Sequence, residues 1–488
     1  MKKIRLRFAP SPTGYVHLGS LRTVLFDYLL AKNLNGQLIL RLEDTDQSRQ
    51  IQGALDNLLE VCNWIGLEFD EGPHKENQKY GPYIQSQRTD VYKKHAQKLI
   101  KNKSAYFCFC TKERLEEMRS EQTKNKQAPK YDKKCRYLSK EEIDKNLQAN
   151  KAYVIRQKMP TEGEIKVYDE LRGEITFKAN DLEDHILMKS DGMPTYQLAS
   201  VVDDHLMEIS HVSRGEEWIP SLPKNVLLYQ AFSWHVPKFI HFPLILNKDG
   251  GKLSKRQGDV FVEDYRNQGY LPEALINFCA LLGWHPKGDN EIFTLSQLEK
   301  EFSLNSLGIS PAIFDIDKLQ YFNGYYIRQK SDENLYLLTK PFLVKAKLLS
   351  ENPKQEEREK CLKLMPIAKE RIKTLNDLPF LFSFFFEDIE YEKSLLIWKN
   401  LSEKEVADNL KELLEIIEKI ENWQLENLEK TIISYLKENN KKNGDYLWPL
   451  RVALSGQKFS PSPFENAYIL GKLASIKRIK DAISLLSY

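Results

Sequence analysis

Within its first 66 residues the chain reads strand, helix, strand, helix, and that order leaves few folds open. "KKIRLRF" alternates like a strand, and "LRTVLFDYLLAKNL" follows with helical spacing. "GQLILRLED" is a second strand after Gly36, and "GALDNLLEVCNWIGL" is an amphipathic helix closed by Gly66. Units of this kind build a parallel, doubly wound sheet. After about residue 185, strand-like runs return in "TYQLASVVDDHL" and "EISHVSRG". A helix, "SLPKNVLLYQAFSW", and a strand, "IHFPLILN", come next. The expected fold is therefore α/β: a Rossmann-like parallel sheet split by an insertion.

From about residue 258 the pattern turns helical. Residues 331–488 contain three of the 22 glycines, and "VADNLKELLEIIEKIENW" has helical period. Ser139-x-x-Glu142 and Ser462-Pro463-x-Glu465 are helix-start signatures. At 488 residues the chain exceeds what one hydrophobic core supports. No apolar run reaches the ~18 residues of a membrane span. "MKK" passes straight into the first strand without a signal-peptide core, so a cytoplasmic location is expected. The six cysteines are too sparse for a disulfide framework.

Charge is unevenly spread. Residues 91–160 hold 19 Lys and Arg against 8 Asp and Glu, a local +11 in a chain of net +3. Such a block is either a polyanion-binding surface or a solvated lysine-rich face.

Two distant loops carry the chemistry. "FAPSPTGYVHLGS" (residues 8–20) joins the first strand to the first helix. A loop entering a helix N-terminus at the end of a parallel sheet binds anions. His17 can hydrogen-bond a phosphate there, and Gly19 lets a nucleoside approach the backbone. "GGKLSKRQG" (residues 250–258) is not a Walker A loop, because Lys252 is followed by Leu253 rather than Ser or Thr. It still places Lys252, Lys255 and Arg256 where they can offset charge moving onto pyrophosphate. The Glu43–Asp44 pair is open to acid–base work, metal binding or a helix N-terminal charge cluster.

"HLGS" and "KLSKR" resemble the HIGH and KMSKS signatures of class I aminoacyl-tRNA synthetases. "RFAPSPTGYVHLGSLRT", "RLEDTD", "PTYQLASVVDDHL" and "RGEEW" resemble the bacterial-type glutamyl-tRNA synthetases, in matching order from residue 4 to the C-terminus. The resemblance implies a glutamate–tRNA ligase: ATP and Mg²⁺ activate L-glutamate to glutamyl-adenylate, which is passed to the terminal adenosine of tRNA(Glu). The other readings are an enzyme specific for glutamine, or one that charges both glutamate- and glutamine-accepting tRNAs with glutamate, and an RNA-binding or regulatory protein that keeps the fold without the chemistry.

By the same resemblance His17, Gly19, Lys252 and Lys255 are catalytic. Glu217, Trp218, Leu244 and Ile245 frame ATP together with His17, Gly19 and Lys255. Arg7, Ala9, Ser11, Tyr196 and Arg214 hold glutamate, with Glu43 on its ammonium and Asp44 structural. Ser200 stands where the family usually has asparagine, which leaves that contact in doubt or water-mediated. Asp46 lies near the tRNA terminal ribose. Arg371 reads the first anticodon base, and Arg451, Ser460, Pro461 and Phe464 lie near the others. A helical C-terminal region also separates the chain from bacterial glutaminyl-tRNA synthetases, whose counterpart is a β-barrel.

The implied domains are 1–80 and 189–250 for the catalytic halves and 81–188 for the acceptor-binding insert. Residues 251–325 form the KMSKS-type loop and stem-contact region, and 326–488 the anticodon-binding region. In the insert, Cys108, Cys110 and Cys135 make three zinc ligands. Family members complete the set with histidine two residues after the third cysteine, here Tyr137. Related proteins use a tyrosine four residues before it, here Tyr131, which is the expected fourth ligand; the alternative is a decayed site of reduced thiols. The family also implies a monomer.

Overall fold

The computed structural model describes residues 3–251 and 261–487. They form two compact units: residues 1–265 with 275–316, and residues 266–274 with 317–488.

The first unit is built on a six-stranded sheet of order β2-β1-β8-β9-β5-β6. Its strands are β1 (Arg5–Phe8), β2 (Gln37–Leu40), β5 (Glu164–Asp169), β6 (Gly173–Lys178), β8 (His211–Gly215) and β9 (Lys238–Phe242). All neighbours pair in parallel except the β5–β6 hairpin. Helix α1 (Leu18–Asn33) carries the chain from β1 to β2, and α2 (Ala54–Trp64) follows. The strand order reverses at β1, with β2 on one side and β8 on the other. Loops leaving such a point diverge and open a crevice at the strand C-termini.

β1 occupies a position buried on both faces, and all four of its residues are buried. The alternation that marks it as a strand therefore does not divide core from solvent. Arg5 and Arg7 share one face, and each is bonded to a carboxylate within the protein, Arg7 to one that it shares with Arg41. Arg5 forms two 2.8 Å bonds to Glu71, from Nη1 to Oε1 and from Nη2 to Oε2.

The expected strand in "TYQLASVVDDHL" is a helix, α6 (Tyr196–Leu206). Its β-branched Val201 and Val202 mimic a strand, but seven consecutive residues, 198–204, are buried, as in a helix covered on nearly every side. Asp203 and Asp204 lie in that run and are held by arginines. The other assignments around it hold: "EISHVSRG" contains β8, "SLPKNVLLYQAFSW" contains α7 (Leu222–Ala231), and "IHFPLILN" contains β9 and β10 (Ile245–Leu246). β10 pairs in parallel with β11 (Ala312–Ile313).

Between α2 and α6 lie α3 (Thr89–Lys101), α4 (Lys112–Lys124) and α5 (Lys140–Gln148). With them comes a three-stranded antiparallel sheet of β3 (Ala105–Cys108), β4 (Val154–Gln157) and β7 (Ile186–Met188). The Ser139–Glu142 capping box starts α5 as expected. β5 and β6 fall in the same stretch of sequence but belong to the main sheet, where Asp169 pairs with Phe239.

The second unit is helical. Its core gathers Val406, Leu410, Leu413 and Ile417 from helix Glu403–Lys419 with residues from helices Leu425–Glu438, Asn443–Ser455 and Lys472–Leu486. The apolar positions recur at three and four residues, which fits one buried stripe. The Ser462–Glu465 capping box starts helix Pro463–Leu470.

Candidate active site

The crevice at the C-terminal end of β1 is a cavity of about 920 Å³. Its floor comes from the loop after β1. Glu43 N–H donates to Pro10 O at 3.0 Å, Ile51 N–H to Pro12 O at 2.8 Å, and Val16 N–H to Asn57 Oδ1 at 3.1 Å. The loop is therefore pinned to the end of β2 and to α2. His17 caps α1, its Nδ1 accepting from Ser20 N at 3.3 Å. A Cβ on Gly19 would sit 3.1 Å from the His17 ring, so the missing side chain leaves room for the imidazole over the helix end.

Arg7, Ala9, Ser11, His17 and Gly19 line this cavity. Glu43 and Asp46 line it from the β2 side, and Tyr196, Arg214, Glu217, Trp218, Leu244 and Ile245 from the opposite wall. Ser200 does not: it is buried within α6. Lys252 and Lys255 lie outside the described residues.

Arg7 and Arg41 share one carboxylate. Asp204 Oδ1 accepts from Arg41 Nη1 at 2.7 Å and from Arg7 Nε at 3.1 Å, and Arg7 Nη1 also donates to Ser213 O at 3.1 Å. Burial pushes the Asp204 carboxyl up, but the charges of Arg41 and Arg7 outweigh it and hold it below its ordinary value. Glu43 Oε1 accepts from Arg41 Nη2 at 2.8 Å and from Nε at 3.3 Å. Burial raises the Glu43 carboxyl against the pull of Arg41 and Arg7. Asp44 points elsewhere, accepting from Ser86 N at 2.7 Å.

Arg214, 7% exposed, is held at three points. Nε donates to His241 Nε2 at 3.1 Å, Nη1 to the Tyr196 hydroxyl at 3.2 Å, and Nη2 to Asn225 Oδ1 at 3.0 Å. A guanidinium has five N–H groups. Among the described residues these bonds use one N–H on each terminal nitrogen and leave a second on each, and terminal N–H groups of a guanidinium can grip a carboxylate in bidentate fashion. Tyr196 also packs on Trp218, ring centroids 4.5 Å apart. A Cβ on Gly215 would overlap the Glu217 carboxylate, which folds back over it. Glu216 Oε1 accepts from Leu244 N at 2.9 Å and fixes the backbone at that wall.

Sequence reasoning missed Asp204, Arg41, His241 and Asp27. The "VVDDHL" run held a signal: two carboxylates inside an apolar stretch need buried cations. Asp27 on α1 lines the cavity and is fully buried. It accepts from the Ser213 hydroxyl through Oδ1, while Oδ2 has no hydrogen-bond partner among the described residues. Burial pushes its carboxyl up to about 7, against the Ser213 bond and the charge of Arg7.

The three cysteine sulfurs converge at the end of β3 and the 3₁₀ turn Lys134–Tyr137, all within 4.8 Å of one another. The Tyr131 oxygen lies 3.2 Å from Cys108 Sγ and 3.6 Å from Cys110 Sγ, and Cys110 and Cys135 sulfurs are 3.5 Å apart. Tyr137 is 75% exposed and takes no part in the cluster. The Arg156 guanidinium sits 3.9 Å above the Tyr131 ring, and Arg114 Nη1 is 3.4 Å from Cys110 Sγ.

In the helical unit Arg371 is exposed, its Nη2 3.7 Å from Glu465 Oε2. Arg451 stacks on Trp448 at 4.6 Å and donates to Lys458 O at 2.9 Å. Ser460 Oγ and Pro461 O both accept from Asn466 Nδ2 at 3.2 Å. Phe464 is buried in the helical core rather than presented to solvent, whereas Phe459 is 81% exposed.

Residues 3–321 match the family described as "tRNA synthetases class I (E and Q), catalytic domain", and residues 334–483 match an anticodon binding domain. The chain is 44% identical over 481 residues to a glutamate–tRNA ligase of Borrelia duttonii (strain Ly), covering 98% of this chain and 95% of that one. It is 45% identical over 487 residues to that of Clostridium tetani (strain Massachusetts / E88), covering 99% and 98%. The crystal structure of a glutamate tRNA ligase from Elizabethkingia meningosepticum in complex with its amino acid superposes with a TM-score of 0.91, at 37% identity, over 99% of both chains. By fold and sequence, the chain belongs to the class I tRNA synthetases of the glutamate and glutamine group.

Proposed function

We propose that this chain activates L-glutamate with ATP and transfers it to the terminal adenosine of tRNA(Glu), working as a monomer in the cytoplasm. One observation carries the reading: Arg7, Arg214 and Glu43 border the same cavity as the His17–Gly19 helix entrance. Two cations and a carboxylate suit an amino acid with an acidic side chain, and the helix N-terminus suits a nucleotide.

The two unused N–H groups of Arg214 take the side-chain carboxylate of glutamate, with Arg7 adding positive charge nearby. Glu43, kept in place by Arg41, meets the ammonium. The α-carboxylate is thereby left to attack the α-phosphorus of ATP in line, forming the C–O–P bond of glutamyl-adenylate as pyrophosphate leaves. Mg²⁺ carried with ATP neutralises phosphate charge. His17 and Gly19 receive the nucleotide, and Lys252 and Lys255 meet the departing pyrophosphate. A hydroxyl of the terminal adenosine then attacks the acyl carbon and AMP leaves. No side chain becomes a nucleophile; catalysis is positioning and electrostatics.

The basic segment 91–160 is suited to the tRNA acceptor end, and Arg371, Arg451, Ser460 and Pro461 to the anticodon. Cys108, Cys110, Cys135 and Tyr131 fit a zinc ion. Ligand sulfurs 2.3 Å from a tetrahedral ion lie ~3.8 Å apart, close to the spacing of Cys110 and Cys135. Bound zinc would tie β3 to the turn at Lys134–Tyr137. Arg156 above the ring and Arg114 beside Cys110 offset the negative charge of such a ligand set.

Glutamate-dependent ATP–pyrophosphate exchange, with and without tRNA, tests the reading. Exchange that requires glutamate and tRNA is expected, with charging of tRNA(Glu) over tRNA(Gln). No exchange and no charging would leave a binding protein that keeps the fold alone.

A further inference from the structure

Arg214 is aimed by a buried relay that the sequence motifs do not contain. Its Nε–H points at His241 Nε2 at 3.1 Å, and His241 Nδ1 lies 2.7 Å from Asp169 Oδ2. An arginine is always a donor, so Nε2 must accept and the ring proton must sit on Nδ1, donated to Asp169. The imidazole is thus neutral and of one tautomer. Asp169 is itself immobilised: Oδ1 accepts from Leu171 N and Arg172 N, each at 3.0 Å, and Oδ2 from His241 N at 3.0 Å. Both Asp169 and His241 are fully buried.

We propose that Asp169 and His241 are positioning residues for substrate recognition, fixing Arg214 so that its two remaining N–H groups present a bidentate fork to the glutamate side-chain carboxylate. This rests on the reading of Arg214 as a glutamate ligand. Tyr196 and Asn225 constrain the terminal nitrogens, but each holds only one. The bond at Nε sets the rotation of the guanidinium plane. Without an acceptor there, a buried N–H is left unmade and the fork turns away from the cavity. A histidine acting only as core filler would affect stability and leave substrate affinity alone.

The test uses the full chain, measuring glutamate KM, ATP KM and kcat in tRNA-dependent exchange, with thermal midpoints. His241→Asn can still donate to Asp169 but carries no acceptor at the Nε2 position. It is expected to raise glutamate KM about tenfold with ATP KM within about twofold. His241→Gln places an amide oxygen near Nε2 and is expected to recover glutamate KM to within about threefold of the parent. Asp169→Asn drives the ring proton to Nε2, against Arg214, and is expected to give the same glutamate-specific defect. That variant also covers the case in which His241→Asn does not fold.

Arg214→Ala is the control. An unchanged glutamate KM in that variant would overturn the assignment of Arg214 itself. A raised KM there, with His241→Asn within about twofold of the parent or with ATP KM rising in step, would overturn the positioning role alone.

Discussion

Arg7 and Asp204, 197 residues apart in the chain, form a buried ion pair of 3.1 Å between Nε and Oδ1, and Arg41 donates to the same oxygen at 2.7 Å. Removing a sole partner from a buried carboxylate costs about 3–5 kcal/mol. Here Arg41 remains, so Arg7→Ala should fold, with a loss of only about 1–3 kcal/mol. The expected phenotype is a glutamate KM raised on the order of 10–100-fold, with ATP KM nearly unchanged, in tRNA-dependent exchange. Near-parental glutamate activation would remove Arg7 from the amino-acid site.

Asp27 predicts a pH dependence. Its folded pKa is raised to about 7, above the ~4 of an unfolded chain. Below pH ~4 both states hold the proton and the burial costs nothing. As pH rises toward 7 the unfolded state ionises first, so stability falls, and above 7 the full cost is present. Asp27→Asn keeps an acceptor for Ser213 and removes the charge. Urea unfolding should show a gain on the order of 1–3 kcal/mol at pH 8 and almost none at pH 4. An equal gain at both values would mean the carboxylate charge is not the cause.

Purified without chelator, the protein is expected to carry about one zinc per chain. Tyr131→Phe should weaken zinc retention against a colorimetric chelator by about 10–100-fold, while Tyr137→Phe should have no effect. Far less than stoichiometric zinc in the parent protein would point instead to reduced thiols. The same result for both tyrosine variants would displace Tyr131 as the fourth ligand.

What was legible in the sequence was what is local. His17 at the end of a Pro/Gly loop and Arg214 in "RGEEW" are read from a few neighbours, and the cavity gathers both. The partners that hold them come from remote elements. Asp204 stands on a helix whose Val201–Val202 mimics a strand, and His241 follows one buried residue and precedes another, like any core position. Phe464 shows the opposite failure: an aromatic beside a capping box is equally compatible with base contact and with packing, and only tertiary structure separates them.

Arg371 is exposed and only loosely paired with Glu465 at 3.7 Å, a surface contact that contributes little to stability. Arg371→Ala should therefore leave the thermal midpoint unchanged. It should lower kcat/KM for tRNA charging by about 5–100-fold when the base it reads is intact, and by less when that base is changed. A uniform loss across anticodon variants would mark Arg371 as a phosphate contact.

The hairpin of β5 and β6 bears on how such a chain can be taken apart. Asp169, the anchor of the Arg214 relay, enters the main sheet from sequence that lies between β3 and α6. A chimera that exchanges residues 81–188 as a cassette would also exchange two strands of the sheet, and with them the carboxylate bonded to His241 Nδ1. On the proposed role of the relay, a graft meant to change only the handling of tRNA would also change the KM for glutamate.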